Sequence, residues 1–407
     1  MCSLYFPSIT SVITTGSRTH ASSHTTNTLL KALGKIKTYT ADLLVKAGST
    51  RSINYTTSLD LKKLGATKTH STDISITGGT SGLLFDYFLH IEMENTSYYD
   101  VIGDTGNAPD INNMISGSYT LGNGASSANR WFYSQSSFSG SSINPSLPNY
   151  IDQTSGNFTD NGGSLIGNDR SINGNFISHG NIIDSLESGS ITWKVYMEGY
   201  PGNGWVSGDS TDSFGDDYIE HHDPFMYYTN VGTNSTRFAN VVTANTNNSI
   251  LFSDNTVGPN VLINDLNATG SNGQLTAAQY MWLSPCNDHN MHDAGILGNS
   301  NATGNLYLST IMPLILSSKV ATTKKLAIFV IWDEGNDSSN DRIPNFFMST
   351  TGSTGVIKNG YAVTGSYQHA SEIKTLEYNW NLQALPSSTT NTLYKNSYPI
   401  LEIFKGH

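Results

Sequence analysis

Two pairs of oxygen-bearing side chains stand far apart in this chain, and their chemical types suit the binding of a cation. The first pair is Glu94 and Asn95, and the second is Asp333 and Glu334. Three carboxylates and an amide at one point repel one another unless a cation offsets their charge, and hard divalent cations prefer such oxygen ligands. Together the two pairs predict a metal site, although either pair alone could be an ordinary acidic loop.

Each pair directly follows an apolar run that predicts a buried strand. Residues 85–93 and 325–332 are rich in β-branched and aromatic side chains, which suits strands covered on both faces of a parallel sheet. Ligands of such sheets bind at the carboxyl ends of the strands. We therefore expect the two pairs to meet at one edge of a sheet.

Helices and strands alternate along the rest of this part of the chain. The further predicted elements are a helix over 181–187, strands over 191–197 and 279–285, and a helix over 371–380. Long stretches rich in Gly, Asn and Ser, 103–142 and 202–217, are predicted to be loops that build or border a site. The alternation predicts an α/β fold with a mainly parallel central sheet covered by helices on both faces.

The first 80 residues differ in composition from the remainder. They are rich in Ser and Thr, and we predict β or extended structure with one possible helix over 27–33. Residues 1–80 are therefore interpreted as an N-terminal extension, and residues 81–407 as the α/β domain. Strands of the extension could pair with a sheet edge of another copy, which makes self-association a possible property of this region.

The charge of the chain excludes some classes of partner. Only 13% of its 407 residues are charged, and 32 Asp and Glu against 21 Lys and Arg give a net charge of −11. Binding to nucleic acid is not expected, because phosphate contacts need clustered basic side chains. No apolar run reaches the roughly 18 residues that a transmembrane helix needs, so no such segment is predicted.

Glycosylation signals favour an extracellular or cell-surface glycoprotein. Asn-x-Ser/Thr sequons outside the proposed site occur at Asn54, Asn157, Asn234, Asn247, Asn267, Asn301 and Asn336. The first 22 residues lack the basic and apolar regions of a signal peptide, so the route of export is not evident. The two cysteines, Cys2 and Cys286, do not form a disulfide framework.

A series of short motifs gives a specific family resemblance between about Phe85 and Leu385. In chain order the motifs are Met93-Glu94-Asn95, Pro145-Ser146-Leu147-Pro148-Asn149-Tyr150, Trp193-Lys194-Val195-Tyr196-Met197-Glu198-Gly199, His222-Asp223-Pro224-Phe225, Met291-His292-Asp293, Trp332-Asp333-Glu334-Gly335 and Tyr367-Gln368-His369. The series resembles the phosphoesterase family of acid phosphatases and phosphatidylcholine-type phospholipases C, within the alkaline phosphatase superfamily. The resemblance implies an alkaline phosphatase-like fold.

The resemblance also implies a site for phosphate ester hydrolysis, in which Ser146 is the nucleophile. It implies one divalent cation of unknown identity with these ligands: Glu94, Asn95, Ser146, Asp333 and Glu334. Three histidines at matching positions would bind phosphoryl oxygens or donate a proton: His222, His292 and His369. A serine hydroxyl is a weak nucleophile by itself, and a metal ion can hold it as an alkoxide.

Four positions depart from the family pattern. Asn144 replaces a histidine before the nucleophile, Asn290 replaces an aspartate, and Gln368 replaces an asparagine. Glu92 interrupts a strand that is usually apolar, whereas His90 beside it matches no motif and is interpreted as an ordinary histidine. The proposed metal ligands survive these changes, but the rate and the specificity are put in doubt.

The function implied is that of a secreted, metal-dependent phosphomonoesterase acting on a small phosphorylated substrate. Histidines titrate near ~6.5, so charged imidazoles would favour activity at acid pH. A phospholipase C-type phosphodiesterase is the first alternative. A surface or appendage protein that keeps the fold with weak catalysis is the second, because a fold alone does not establish activity.

Overall fold

The computed structural model describes residues 83–132, 145–213, 215–244, 261–335, 342–385 and 392–407, together with four strands nearer the N-terminus. Contacts divide the chain into two units, Met1–Ser81 and Gly82–His407. The four strands of the first unit are Ile9–Thr15 (β1), Arg18–His24 (β2), Ile53–Leu59 (β3) and Lys68–Ile74 (β4). They pair as two antiparallel hairpins, β1 with β2 and β3 with β4.

The possible helix predicted over 27–33 lies outside the described residues. The interpretation of residues 1–80 as a separate extension that could self-associate stays a prediction.

An eight-stranded sheet organises the second unit. The strands of this unit are Tyr87–Met93 (β5), Gly122–Ser126 (β6), Trp131–Phe132 (β7), Trp193–Met197 (β8), Ser210–Thr211 (β9), Asp217–Tyr218 (β10), Val241–Thr243 (β11), Tyr280–Ser284 (β12), Leu326–Trp332 (β13), Phe346–Thr350 (β14), Tyr361–Ala362 (β15) and Tyr367–Gln368 (β16). The strand order in the sheet is β11-β8-β12-β5-β13-β14-β6-β15, and β14 alone within it runs antiparallel to its neighbours. Strands β9 and β10 form a small hairpin, and β7 pairs with β16.

The helices of this unit lie between and after these strands. They are Tyr98–Val101 (α1), Pro109–Ile115 (α2), Ser146–Ser155 (α3), Ile182–Ser188 (α4), Pro224–Tyr227 (α5), Thr229–Gly232 (α6), Ser235–Phe238 (α7), Val261–Asn267 (α8), Ser300–Leu316 (α9), Lys319–Thr323 (α10), Ala370–Trp380 (α11) and Thr392–Asn396 (α12), with 3₁₀ turns at Glu220–His222 and Gly352–Thr354. The predicted α/β fold with a mainly parallel sheet is thereby confirmed. Among the residues with described positions, no helix is long and apolar enough to cross a membrane.

The centre of the sheet is covered on both faces. All seven residues of β13 are buried, and in the neighbouring β5 only Tyr87 is half-buried. Since successive side chains of a strand point to opposite faces, such continuous burial means that neither face meets solvent. That helices do the covering on both faces stays a prediction.

The predicted bounds of a helix agree closely with the observed ones where the sequence contains a capping residue. The helix predicted over 181–187 is observed as Ile182–Ser188. Helix α4 begins after Asn181, whose side chain accepts a hydrogen bond from the Ile183 N–H at 3.0 Å. The Asp184 carboxylate accepts in turn from the Asn181 N–H at 3.2 Å. This reciprocal arrangement is a capping box, which fixes the start of a helix from its local sequence.

The prediction of one long loop over 103–142 is wrong in its described part, which contains helix α2 and strands β6 and β7. Strand β6 was missed because its sequence, Gly-Asn-Gly-Ala-Ser, lacks the β-branched residues typical of strands. Packing explains its composition, since a Cβ atom on Gly124 would lie 2.0 Å from the carbonyl oxygen of Met114 in α2. Glycine lets the helix backbone rest directly on the strand.

Candidate functional site

The two acidic strand ends meet at the carboxyl edge of the sheet. Their positions directly after two predicted parallel strands led us to expect this. Strands β5 and β13 are parallel neighbours, with Met93 opposite Trp332. The Asp333 N–H donates to the Met93 carbonyl at 3.1 Å, and the Asn95 N–H donates to Asp333 Oδ1 at 3.2 Å. The structure therefore brings both pairs together at one point.

Asn95 stands among the carboxylates in a geometry that suits a shared ligand. One of the two terminal atoms of its side-chain amide lies 3.0 Å from Glu334 Oε1 and 3.3 Å from Glu94 Oε2, and this atom can be the nitrogen or the oxygen. With the NH₂ group toward these oxygens, Asn95 donates to both. With its carbonyl oxygen toward them, it joins them as a ligand of one cation. A positive φ of 40° at Asn95 aims the side chain into this cluster, a backbone strain typical of functional positions.

The charged forms of the three carboxylates are disfavoured by their surroundings when no cation is bound. Burial, followed by the charge of Asp333, raises the pKa of Glu94 and of Glu334 well above their ordinary values. Burial also raises the pKa of Asp333 to about 6. Asp333 Oδ2 is buried and has no hydrogen-bond partner within the described ranges. The chemistry of this donor set suits a hard divalent cation, which would supply the missing charge and accept oxygen ligands, although the ligand atoms of the three carboxylates do not all lie within 4.8 Å of one another.

A buried helix supplies the nucleophile candidate and three further polar side chains. Ser146 is the first residue of α3, and its Oγ donates to Glu94 Oε2 at 3.1 Å. One turn later, Asn149 Nδ2 donates to Glu334 Oε2 at 3.0 Å, and Tyr150 OH donates to Glu94 Oε1 at 2.5 Å. Gln153 follows at the next turn. These positions share one helix face, so the spacing i, i+3, i+4, i+7 could have indicated the stripe from the sequence.

The N-terminal turn of α3 is bonded to a carboxylate that the sequence analysis did not select. The Leu147 N–H donates to Asp169 Oδ1 at 2.9 Å. Asp169 Oδ2 also lies 3.7 Å from His221 Nε2. Helix N-termini favour anions, so Asp169 occupies a position where a phosphoryl oxygen would also be stabilised.

His222 faces the carboxylates, as its motif predicts. Its Nε2 lies 3.1 Å from Glu94 Oε1, yet the geometry is not that of a hydrogen bond, and this nitrogen has no hydrogen-bond partner in the described part of the chain. The ring stacks on Tyr150 with centroids 5.3 Å apart. Burial, and then the nearby charges of His221 and His292, lowers the pKa of His222 well below its ordinary value. This direction opposes the expectation of a charged imidazole at this position.

His292 lies at the rim of the site. Its ring centroid is 6.0 Å from that of His222, and its Nδ1 pairs with Asp293 Oδ1 at 2.7 Å. The side chain is 35% exposed, so it can reach a substrate that approaches from solvent. The Met291 backbone before it has a φ of 81°, which turns the chain sharply at this point.

His369 lies behind the carboxylates and is fully buried. Its Nε2 is 2.6 Å from the Asp333 carbonyl oxygen, so this nitrogen carries the proton and donates. Its Nδ1 accepts from Gln153 Nε2 at 3.4 Å. Burial lowers the pKa of His369 to about 3, which keeps the ring neutral. With both nitrogens engaged, the geometry favours a positioning role, and the predicted contact with phosphoryl oxygens stays a prediction.

A buried charged network behind the site corrects the interpretation of His90 as ordinary. His90 Nδ1 lies 2.9 Å from Glu372 Oε2, and its Nε2 bonds to Glu92. Gln153 Nε2 links this network to the site by donating to Glu92 Oε1 at 3.0 Å. Although burial lowers the pKa of His90, Glu372 and Glu92 outweigh it and raise that pKa to about 9. The unusual Glu92 thus has a buried hydrogen-bond partner, while burial raises its own pKa to about 8.

Asn144, the other notable departure from the family pattern, lies outside the described residues. Its effect on the site stays a prediction.

Comparison with known proteins supports the motifs. The sequence profile of the phosphoesterase family matches residues 128–383. A probable acid phosphatase of Kluyveromyces lactis is 28% identical over 166 residues, which are 39% of this chain and 32% of the relative. The aligned segment thus spans about a third of the length of that relative.

Solved structures show partial likeness at low identity. A protein in the alkaline phosphatase superfamily from Vibrio parahaemolyticus is 11% identical, with 74% of this chain and 68% of that chain covered at a TM-score of 0.44. The C-terminal periplasmic domain of EcEptC from Escherichia coli, in complex with zinc, is 10% identical, with 74% and 84% covered and a TM-score of 0.41.

Proposed function

This chain belongs to the phosphoesterase family, and from that premise we propose that it hydrolyses phosphate monoesters through Ser146 with the help of one divalent cation. Its aligned segment is acid phosphatase-like. The observation that carries the proposal is the hydrogen bond from Ser146 Oγ to Glu94 Oε2 at 3.1 Å, at the head of a helix and beside two further buried carboxylates. A hydroxyl held against such a cluster is positioned to act as a nucleophile.

The cation would be held by oxygen ligands from both strand ends and from the helix. These ligands are Glu94, Asn95, Ser146, Asp333 and Glu334. When bound, a divalent cation favours the alkoxide form of a serine and offsets the negative charge of phosphoryl oxygens. The donor set supports this assignment, because the three carboxylates have raised pKa values and Asp333 Oδ2 has no partner among the described residues.

The protein's own groups orient the reaction. Glu94 accepts the Ser146 hydroxyl proton, while the short bond from Tyr150 holds that carboxylate in place. Ser146 Oγ forms a bond to phosphorus as the bond from phosphorus to the leaving oxygen breaks. His292, exposed at the rim, is placed to give that oxygen a proton. Water then forms a bond to phosphorus as the bond from phosphorus to Ser146 Oγ breaks. A proton of the water goes to His292 and the proton on Glu94 returns to Oγ, which releases phosphate and restores all three groups.

His369 fixes the backbone of Asp333 from behind, and Asn149 fixes the side chain of Glu334. Their proposed role is therefore to hold ligands rather than to touch the substrate. Secretion as a glycoprotein belongs to the same proposal and rests on the sequons alone.

The replacement Ser146→Ala tests the proposed nucleophile. Turnover of a chromogenic phosphate monoester, with divalent metal supplied, should fall on the order of 10⁶-fold, as when other covalent nucleophiles are removed. Incubation of the wild type with a slowly hydrolysed phosphate ester should trap a phosphoserine, which peptide mass spectrometry would locate at Ser146.

A matched control is Ser155→Ala at the other end of the same helix. This serine is also buried, and its Oγ donates to the Ile151 carbonyl at 2.7 Å, away from the carboxylates. It should keep turnover close to that of the wild type. If Ser146→Ala retained wild-type turnover, another nucleophile would have to be sought. Faster cleavage of a phosphodiester than of a monoester would favour the phospholipase C-type alternative.

A further inference from the structure

A second cluster of metal-ligating side chains lies at another pair of strand ends. Strands β8 and β12 are parallel neighbours, and Met197 lies opposite Ser284. Glu198 directly follows β8, and its N–H donates to the Ser284 carbonyl at 3.0 Å. Cys286 follows β12 two residues later. The sheet thus brings a carboxylate and a thiol together, as it does for the acidic pairs of β5 and β13.

Three side chains of different ligand type converge here. His289 Nδ1 lies 2.7 Å from Glu198 Oε2 and 3.3 Å from Cys286 Sγ. Within the described ranges, these three form the group of His, Cys, Asp or Glu side chains whose ligand atoms all lie within 4.8 Å of one another. All three are buried, and the spacing Cys-x-x-His puts two of them on one short loop.

A fourth ligand candidate comes from the hairpin of β9 and β10. Asp216 is buried, and its Oδ1 lies 3.9 Å from Cys286 Sγ. Gly199 makes this approach possible. Its φ is +67°, and a Cβ atom there would lie 2.6 Å from the Asp216 carbonyl oxygen. A side chain at this position would therefore force the backbone of residues 216–218 to shift.

Surrounding groups orient the cluster as outer-shell partners orient the ligands of known metal sites. Tyr307 OH donates to Glu198 Oε1 at 3.1 Å, and the Cys286 N–H donates to Glu198 Oε2 at 2.9 Å. The Tyr307 ring stacks on His289 with centroids 4.9 Å apart. Both oxygens of the carboxylate and the face of the imidazole ring are therefore held in place.

We propose that Glu198, Cys286 and His289 bind a divalent transition-metal ion such as zinc. One sulfur, one imidazole nitrogen and one carboxylate oxygen are ligand types that zinc accepts, and water, or the Asp216 carboxylate after a small approach, would complete the tetrahedral set. The thiol suits zinc or cobalt and disfavours calcium and magnesium, so this site differs in metal preference from the carboxylate cluster. On binding, the Cys286 thiol proton leaves to solvent, as does the proton between His289 Nδ1 and Glu198 Oε2, so that Nδ1 presents its lone pair to the ion.

The ion would fix the loop that carries His292. This loop runs from Cys286 to Asp293, and the Asn290 carbonyl within it accepts from the Glu94 N–H at 2.7 Å. A structural ion at Cys286 and His289 therefore anchors the segment between two strand ends. The proposal does not depend on the chemistry assigned to Ser146.

Cobalt spectroscopy on full-length protein tests the proposal without removing a ligand. The chain has two cysteines, so Cys2→Ser leaves Cys286 as its single thiol. Cobalt(II) added to this variant should produce a near-ultraviolet thiolate-to-cobalt charge-transfer band and the visible bands of a tetrahedral ion. Zinc should remove these bands by displacing cobalt. Absence of the charge-transfer band in folded Cys2→Ser protein overturns the proposal.

Variants then assign the remaining ligands. In the Cys2→Ser background, His289→Gln should lose the tetrahedral spectrum and about one bound cobalt ion per chain. Asp288→Asn is the matched control, since Asp288 is an exposed acid beside His289. It should keep the spectrum, as should Glu94→Gln, which alters only the carboxylate cluster. An unchanged spectrum in His289→Gln, or a band lost in Glu94→Gln, contradicts this site.

Discussion

Two regions of the molecule surround carboxylates with opposite kinds of neighbour. One is the cluster of Glu94, Asp333 and Glu334, and the other is the environment of Glu402. At the ends of β5 and β13, burial raises the pKa of Glu94 and Glu334, and Asp333 Oδ2 has no partner within the described residues. Near the C-terminus, the pKa of Glu402 is lowered to about 2. In the first region acids surround one another, and burial together with their repulsion raises the pKa values. In the second, hydrogen-bond donors surround a single acid and lower its pKa.

Glu402 is held by five hydrogen bonds from one connecting segment. The donors are Tyr361 OH at 2.8 Å, Thr364 N at 2.9 Å, Thr364 Oγ1 at 2.7 Å, Gly365 N at 2.8 Å and Tyr367 OH at 2.6 Å. Burial alone would raise the pKa of this carboxyl, but the donors, of which Tyr367 contributes most, outweigh it. Such a group stabilises the fold and needs no ion.

The difference contrasts a carboxylate whose hydrogen-bond donors stabilise the fold with one that, in the proposed function, binds a cation. Glu94 also accepts hydrogen bonds, from Ser146 and Tyr150, but its neighbours Asp333 and Glu334 are acids. Placing buried acids side by side costs stability unless something of opposite charge joins them. We infer that this cost is retained because the cluster binds a cation.

Among the changes that separate the two regions, the largest expected effect comes from neutralising one acid of the carboxylate cluster. Glu94→Gln should lower kcat for a phosphate monoester by roughly 10²–10³, the loss seen when one preorganised electrostatic group is removed. Because the ionised Glu94 is destabilised by burial and by Asp333, the metal-free variant should melt at or above the wild-type temperature. Activity assays and metal-free melting curves measure both. If metal-free Glu94→Gln melted well below the wild type as well as losing activity, Glu94 would stabilise the fold as Glu402 does, and the contrast between the two regions would be wrong.

An intermediate effect is expected at Glu402. Glu402→Gln replaces one of the two acceptor oxygens by an NH₂ group, so some of the donors lose their acceptor. The free energy of unfolding should fall by roughly 1–2 kcal/mol, and the activity should be unchanged. A lowered pKa stabilises the fold at pH values above the ordinary 4.5, and this contribution is lost as pH falls toward about 2. The stability difference from the wild type should therefore be full at pH 6 and small near pH 2. Denaturant unfolding at several pH values measures it, and a difference that grew on acidification would contradict the role of these donors.

The smallest effect is expected at Asp169, a carboxylate with a single donor at the helix start. Asp169→Asn can keep the bond to the Leu147 N–H but removes a negative charge near Glu334. Inhibition by inorganic phosphate should tighten by about two- to fivefold at low salt, and less at high salt, because the side chain is exposed. Weaker phosphate inhibition in Asp169→Asn would show that Asp169 supports the anion site instead of competing for it.

The sequence predicted best those features that short segments determine. The apolar runs before Glu94 and Asp333 specified β5 and β13, and the carboxyl-end rule predicted that the four oxygen-bearing side chains after these strands lie near one another. The Asn181 cap similarly specified the start of α4. In contrast, β6 depends on the close approach of Met114 to Gly124, a long-range contact that strand propensity does not report.

The sequence could not distinguish groups that face the substrate from groups that stand behind the site. His369 belongs to a family motif, but only the structure shows that its two nitrogens bond to Asp333 and Gln153. Likewise, the sequence did not show that His90 and Glu92 are partners in one network. Glu372, which completes that network, lies 282 residues from His90 in the sequence. Such pairings arise from tertiary packing rather than from local pattern.

Binding of a hard divalent cation tests the central claim most directly. Isothermal titration of the full chain with magnesium and with calcium would compare the wild type, Asp333→Asn and Glu402→Gln. Hard ions are chosen because the Cys286 site disfavours them. The wild type and Glu402→Gln should bind equally, and Asp333→Asn should bind at least about tenfold more weakly. If Asp333→Asn bound as tightly as the wild type, the carboxylate cluster would not be the metal site.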